Sequence, residues 1–267
     1  MGKAVLTSIV LLGAILSCQA QTETVVRNVG FGEYPSVVFV STPRHQRCMG
    51  TVINANHVLT SGTCVMTNGQ ARIYPARLVQ VVGGDLSVIN PVVTQQTRVA
   101  QHIFVHENFR PHSNDNNIAI IRLAEPFHLP SNGIEEAHIR MRIVPQGHQC
   151  DVVRATLTGS PVLQAYNVQI RNRNLCNSCC HQLFRDESNI CTEEITISDS
   201  LLQGDSMFCD GELTAIAATN VNTGQIRRFH FNQVRFFTHW IQQQLIRTQP
   251  MPEGWSPNGV QITMNNE

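Results

Sequence analysis

The residues Cys48-Met49-Gly50-Thr51-Val52-Ile53, followed by His57-Val58-Leu59-Thr60-Ser61-Gly62-Thr63-Cys64, form the stretch that decides the fold. Short apolar segments recur on both sides of it, each of strand length and rich in β-branched residues. Gly, Pro, Asn or Asp bounds each segment, as is typical of strands joined by turns. The clearest segments are Ser36–Ser41, Val52–Ile53, Leu78–Val82, Ile118–Leu123, Ala155–Thr158 and Leu213–Ala218. This pattern predicts an antiparallel β-sandwich or β-barrel.

One segment near the C-terminus has a helical pattern instead. From Phe231 to Ile246 the apolar residues recur at intervals of three and four, which favours an amphipathic helix. These residues are Val234, Phe237, Trp240, Ile241 and Leu245. Beyond this helix, residues 247–267 are rich in Pro, Gly and Asn, so we expect a flexible C-terminal tail.

The N-terminus has the features of a cleaved secretory signal peptide. Lys3 supplies a positive charge, Val5–Leu16 is an apolar run, and small residues end at Ala20. A membrane anchor is the alternative, but a span needs about 20 apolar residues and this run is shorter. We therefore expect residues 1–20 to be removed, and residues 21–246 to fold as a single domain.

Charge and cysteine content restrict the class of protein. Lys+Arg and Asp+Glu both number 19, so no strong field favours nucleic acid or an anionic membrane. Of the nine cysteines, Cys18 lies in the predicted signal peptide, which leaves an even number. An even number after a secretory signal predicts disulfides and an extracellular location. The histidines are scattered without metal-ligand spacing, so neither a metal nor a cofactor is predicted.

Five ordered parts of the chain resemble the trypsin/chymotrypsin serine protease family. Gly32–Pro35 is similar to the start of the mature protease, and Cys48–Cys64 to the strings C-G-G-S-L-I and W-V-L-T-A-A-H-C. Asn116–Leu123 resembles N-D-I-A-L-L-K-L, and Gln203–Leu213 resembles Q-G-D-S-G-G-P-L-V-C-x-G-E-L. Val234–Ile241 resembles the closing helix. The resemblance implies an all-β fold of two six-stranded antiparallel barrels, with a catalytic cleft between them and a C-terminal helix.

Two catalytic positions of the family hold residues that cannot perform its chemistry. Thr63 stands where the family has its histidine, and a threonine hydroxyl cannot act as a general base. Asn117 stands at the aspartate position, and an amide cannot stabilise an imidazolium by charge. His57 aligns six positions before the histidine and Asp115 lies two residues before Asn117, so neither is expected to substitute.

The serine position can be aligned in two ways. Gly204-Asp205-Ser206 resembles the nucleophile string, but only two residues separate Ser206 from Cys209, where the family has five. Alignment from Cys209 without a gap places Gln203 at this position instead. Under both alignments Ser206 lacks the glycine pair that presents the oxyanion-binding amides. We therefore predict no catalytic residue in this chain.

The resemblance also implies a disulfide framework. The implied pairs are Cys48–Cys64, Cys150–Cys209 and Cys176–Cys191. Cys179 and Cys180 are left over, and we expect them on a surface loop, bridged locally or to another chain. The cluster of Cys176, Cys179, Cys180 and His181 is also compatible with a zinc site, which oxidation after secretion disfavours.

The sequence thus predicts a secreted, catalytically inactive serine-protease homologue that acts by binding extracellular proteins, such as other secreted proteases or their substrates. It is similar to the inactive homologues of insect secretions, so by analogy we expect reproductive (seminal) or another luminal fluid. Two alternatives remain. One is an active serine endopeptidase with Ser206 as a displaced nucleophile, and the other is a zinc-binding luminal protein.

Overall fold

The computed structural model describes residues 26–43, 47–67, 72–84, 95–111, 113–131, 133–156, 162–172, 176, 187–192, 203–223 and 226–251. Within these residues the regular structure is mostly β, with an α-helix near the C-terminus. The strands are β1 (Val26–Asn28), β2 (Val37–Ser41), β3 (Arg47–Asn54), β4 (His57–Thr60), β5 (Gln80–Gly83), β6 (Gln96–Val105), β7 (Ala119–Leu123), β8 (Gln149–Ala155), β9 (Leu163–Gln169), β10 (Asn189–Cys191), β11 (Ser206–Cys209), β12 (Glu212–Thr223) and β13 (Ile226–Gln233). The helix is α1 (Thr238–Leu245).

The first half of the chain forms a closed antiparallel barrel in the order β2-β3-β4-β7-β6-β5. Its interior is filled by β-branched side chains such as Val38, Val58 and Ile121, which suit a pleated, buried surface. Gly50 allows the strands to approach each other. A Cβ atom there would lie 2.7 Å from a methyl carbon of Val58, closer than real contacts allow. The predicted six-stranded barrel is confirmed here.

The second half forms a sheet in the order β1-β9-β8-β11-β12-β13-β10. Just after β9, Ile170 forms a single bridge with Thr192, and the Arg171 N–H donates to the Cys191 carbonyl of β10 at 3.1 Å. These contacts bring the end of β9 next to β10, although the strand order of this sheet is not a closed ring. We call this sheet the second barrel, after the family resemblance. The short strand β1 is an addition that pairs with the outer edge of β9. We call the junction of residues 170–172 with β10 the seam.

A shared apolar core joins the two halves. Met49, Leu59 and Phe104 from the first barrel belong to the same buried cluster as Val153 and Ile216 from the second. Burial of this much apolar surface is the main force that holds the two halves together. The Met49 N–H also donates to the Gln203 carbonyl at 2.9 Å, which ties β3 to the segment before β11. The two halves are therefore joined by both apolar packing and a backbone hydrogen bond.

The C-terminal helix is shorter than its sequence pattern predicts. Phe231–Gln233 belongs to β13, Val234–Phe237 is a turn of 3-10 helix, and the α-helix begins only at Thr238. Phe231 pairs with Ile190 of β10, so sheet hydrogen bonding overrides the helical periodicity there. The helix is fixed to the first barrel by Trp240, whose indole N–H donates to a Glu107 carboxylate oxygen at 2.9 Å.

Arg247, the first residue of the predicted tail, contacts the first barrel. The Arg247 carbonyl accepts a hydrogen bond from Arg122 at 2.7 Å. The Arg247 guanidinium lies 5.4 Å from the ring centroid of Phe104. The rest of the predicted tail, from residue 252, lies outside the described residues.

Three disulfides link the described cysteines, in the pairs that the family resemblance implies. Cys48–Cys64 joins β3 to the 3-10 helix Gly62–Val65, Cys150–Cys209 joins β8 to β11, and Cys176–Cys191 lies at the seam. Cys179 and Cys180 lie outside the described residues. In the part of the chain that the structure describes, no helix is long and apolar enough to cross a bilayer.

Candidate functional site

Three loops bring Thr63, Asn117 and Gln203 together between the two halves of the structure. Thr63 lies in the 3-10 helix that follows β4, Asn117 lies two residues before β7, and Gln203 lies three residues before β11. The Thr63 hydroxyl donates to the Gln203 side-chain oxygen at 2.7 Å. The Thr63 backbone N–H donates to the Asn117 side-chain oxygen at 2.9 Å. Thr63 is therefore held between the two amide side chains.

Asn117 is fully buried, and its surroundings distinguish its two amide atoms. Its Nδ2 donates to the Ala218 carbonyl at 2.7 Å, while its Oδ1 accepts the Thr63 N–H. Its own carbonyl accepts a hydrogen bond from the Asn232 amide at 2.8 Å. A carboxylate has no donor for the Ala218 carbonyl, so this environment is specific for an amide.

The backbone geometry explains why the Gln203 side chain lies beside Thr63. Its carbonyl accepts the Met49 N–H, and the next residue, Gly204, has a φ of +82°. A Cβ atom at Gly204 would lie 2.0 Å from the Met49 carbonyl oxygen, so only glycine allows the chain to pass so close to β3. This close passage places the Gln203 side chain against Thr63.

Ser206 lies elsewhere. It is the first residue of β11, is fully buried, and pairs with Val153 on one side and Ile216 on the other. Its hydroxyl makes a short hydrogen bond to the Thr51 hydroxyl of β3. Neither Thr63 nor Asn117 is among its hydrogen-bond partners, so Ser206 belongs to the interface between the barrels.

The two other candidate residues are also kept away from the cluster. His57 begins β4, and its Nδ1 lies 2.8 Å from the Asn54 side-chain oxygen. Burial, with a smaller contribution from the Arg122 charge, lowers the pKa of His57 to about 4, so its ring is neutral at pH 7. Asp115 forms a backbone bridge with Arg110 in the loop before Asn117. The structure therefore brings neither residue to Thr63.

A family model described as Trypsin matches residues 25–241. The chain belongs to the trypsin family. Trypsin of Sus scrofa is 23% identical over 208 residues, covering 74% of this chain and 85% of the relative. Serine protease VLSP-1 of Macrovipera lebetinus is 24% identical over 236 residues, covering 80% of this chain and 83% of the relative. Serine protease SP24D of Anopheles gambiae is 25% identical over 225 residues, covering 81% of this chain and 78% of the relative.

In this trypsin-family chain the cluster at the cleft is electrically neutral. Ser61 completes it, because its hydroxyl lies 3.1 Å from the Thr63 hydroxyl and 3.4 Å from the Gln203 side-chain oxygen. None of Ser61, Thr63, Asn117 and Gln203 ionises in the ordinary pH range. Within the described ranges, no three His, Cys, Asp or Glu side chains group in a way that could hold a metal ion.

Two residues of this network were missed by the sequence analysis. Ser61 stands where the string W-V-L-T-A-A-H-C has alanine, so its hydroxyl was a visible departure from the family pattern. Asn232 lies in β13 and reaches Asn117 across a long separation in sequence. Nothing in the local string around Asn232 signals that contact, because it depends on how the second barrel closes.

Proposed function

We propose that this chain is a trypsin-family protein that does not cleave peptide bonds and acts by binding other proteins. The observation that carries the proposal is the neutral hydrogen-bonded cluster of Thr63, Asn117 and Gln203 at the cleft. Proteolysis by this family requires a nucleophile, a general base and a group that orients the base. Hydrogen bonding between a hydroxyl and two amides supplies none of these functions.

The surroundings of the cluster support the same proposal. The Thr63 hydroxyl already donates to Gln203, and no imidazole of the described residues is bonded to it. Gly204 is followed by Asp205 and Ser206 rather than by the second glycine of the family string. The backbone there is held by the Met49 and Ala217 N–H groups, which donate to the carbonyls of Gln203 and Asp205.

The two alternative functions have weaker support. An endopeptidase that used Ser206 would have to expose a hydroxyl that is fully buried and bonded to Thr51. A zinc site at Cys176 would need a free thiolate, but this sulfur is in a disulfide with Cys191. The other residues of that cluster, Cys179, Cys180 and His181, lie outside the described part of the chain.

We further propose that the protein is secreted. Residues 1–20 serve as the signal peptide, residues 21–246 form the domain, and the remaining residues form the tail. The three disulfides fit an oxidising compartment. The partners are extracellular proteins, such as secreted proteases or their substrates. By analogy with the inactive homologues of insect secretions, the fluid is reproductive (seminal) or another luminal secretion.

A turnover assay tests the proposal. The secreted protein is incubated with peptide substrates that carry Arg, Phe or Ala before the scissile bond, beside a Ser206→Ala variant. We expect no hydrolysis above background from either protein, since an intact catalytic group contributes about 10⁶-fold in rate. Hydrolysis that the Ser206→Ala variant loses would overturn the proposal in favour of the displaced nucleophile.

A further inference from the structure

A buried histidine lies on the outer face of the first barrel, close to the end of the C-terminal helix. His57 begins β4 and is only 6% exposed. Side chains two residues apart in a strand lie on the same face, so His57 shares its face with Leu59, a residue of the core between the two halves. Leu245 at the end of α1 and Met251 pack against that same core. Residues 246–251, which we call the C-terminal segment, therefore cover this face of the barrel.

The hydrogen bonds of His57 determine which ring nitrogen carries the proton. The Asn54 side-chain oxygen accepts the Asn56 N–H at 2.9 Å and lies 2.8 Å from His57 Nδ1. Because this oxygen can only accept, Nδ1 is the donor and carries the proton. The other ring nitrogen, Nε2, is buried and has no hydrogen-bond partner among the described residues. A second proton would have to bind there, where these residues offer no acceptor.

Arg122 connects this histidine to the C-terminal segment. It lies opposite His57 in the pairing of β4 with β7. Its Nη1 donates to the Arg247 carbonyl at 2.7 Å, whereas its Nε is buried and makes no hydrogen bond with the described residues. The Arg247 guanidinium in turn lies over the ring of Phe104, another residue of the shared core. The segment is thus held by a guanidinium that lies next to His57.

The elements around His57 carry positive charge and no carboxylate. The charged or titratable side chains on β3, β6, β7, α1 and the C-terminal segment are Arg47, Arg98, His102, Arg122, His239 and Arg247. The carboxylates of the adjoining loops, Glu125, Glu135 and Glu136, are exposed to solvent. Burial and, second, the Arg122 charge lower the pKa of His57 to about 4. A proton on the ring would therefore lie beside a cation, with no counter-charge from these elements.

We propose that His57 and Arg122 form an acid-sensitive latch that releases the C-terminal segment from the first barrel. A proton on Nε2 places a second buried cation beside Arg122, and the two charges repel each other. Arg122 relieves this repulsion by moving towards solvent, which breaks its hydrogen bond to the Arg247 carbonyl. Release of the segment then hydrates the charged ring. This inference does not depend on whether the protein cleaves peptide bonds.

Proton linkage gives the direction and the size of the effect. The closed form binds the proton with a pKa of about 4, whereas a hydrated imidazole binds it with a pKa of 6.5. The released form therefore binds more protons in this range and is favoured as the pH falls. These two pKa values shift the equilibrium towards release about 20-fold between pH 7 and pH 5.

Methionine oxidation by dilute hydrogen peroxide, mapped by peptide mass spectrometry, measures the release in the full-length protein. Met251 is partly buried, Met141 is 62% exposed and Met49 is fully buried, so the chain contains its own standards. We expect the Met251 rate to rise about threefold or more from pH 7 to pH 5, towards the Met141 rate, because release exposes the thioether. Met141 should be oxidised equally fast at both pH values, and unoxidised Met49 excludes global unfolding.

Three variants separate the latch from other causes. His57→Gln should make the Met251 rate equal at the two pH values, because glutamine takes up no proton. The control is His128→Gln, at an exposed histidine, which should keep the rise. Arg122→Gln should give the fast rate at both pH values, since it lacks the guanidinium that holds Arg247.

Equal melting temperatures at pH 7 exclude misfolding of His57→Gln. A Met251 rate that stays constant with pH in the unchanged protein would overturn the proposal, and so would a rise that persists in His57→Gln. An Arg122→Gln variant as slow as the unchanged protein at pH 7 would show that this arginine does not hold the segment, which also overturns it.

Discussion

Replacement of Asn117 by aspartate introduces the residue that the family resemblance implies at this position, and we expect it to destabilise this protein. Asn117 is fully buried, and its Nδ2 donates to the Ala218 carbonyl at 2.7 Å. Asn117→Asp replaces that donor by an oxygen, so two buried acceptors face each other. An unsatisfied buried polar group costs about 1–3 kcal/mol. An unpaired buried charge raises the loss to about 3–5 kcal/mol.

Thermal unfolding at several pH values measures this loss. For a domain of this size each kcal/mol lowers the melting temperature by about 2–4 °C. Burial raises the pKa of the introduced carboxyl, so the folded state favours its protonated form. The loss of stability in Asn117→Asp should therefore be largest at pH 7. It should shrink as the pH falls towards 4, where the carboxyl O–H can donate to the Ala218 carbonyl. Asn108→Asp is the control, because Asn108 is exposed. Equal melting temperatures of the two variants at pH 7 would refute the assigned amide orientation.

Three other predictions follow from the same contacts. Thr63→His alone should restore no turnover, because the neighbouring amide cannot orient the imidazole as a carboxylate does; robust hydrolysis by this variant would contradict it. Cys48→Ser with Cys64→Ser should cost about 3 kcal/mol or prevent secretion, and unchanged melting would contradict the stabilising role of this link. Burial lowers the pKa values of His57 and His230 to about 4, so the unfolded chain binds more protons below pH 6.5. The free energy of unfolding should therefore fall as the pH is lowered from 6.5 to 4. In the His57→Gln variant this fall should be smaller than in the unchanged protein, and an equal fall would exclude His57 as a cause.

Much of the first barrel can be predicted from the sequence, because its strands are short, apolar and bounded by turn residues. The helix boundary was predicted less well. Phe231 fits the three-residue spacing that leads to Val234, but it pairs with Ile190 in the sheet. Periodicity describes one segment at a time, whereas this pairing depends on a strand far away in sequence.

The candidate site also depends on contacts that a local sequence pattern does not show. The strings around Thr63 and Asn117 are continuous with the family pattern, so the sequence alone pointed to these two residues, which the structure places in hydrogen-bond contact. For the serine position, the string Gly204-Asp205-Ser206 favoured Ser206, whereas the spacing from Cys209 favoured Gln203, so both remained possible. The hydrogen bond from Met49 to Gln203 and the close passage at Gly204 place Gln203 at the cleft. These contacts between barrels have no signature in the loop itself.

Intact-mass analysis after treatment with a serine-directed fluorophosphonate tests the proposed inactivity most directly, with an active trypsin treated in parallel. A buried Ser206 hydroxyl bonded to Thr51, and a Thr63 that lacks a general base, predict no adduct on the folded protein. The trypsin control should be fully labelled under the same conditions. A stoichiometric adduct that peptide mapping places on Ser206, and that Ser206→Ala abolishes, would contradict the proposal that this protein acts without catalysis.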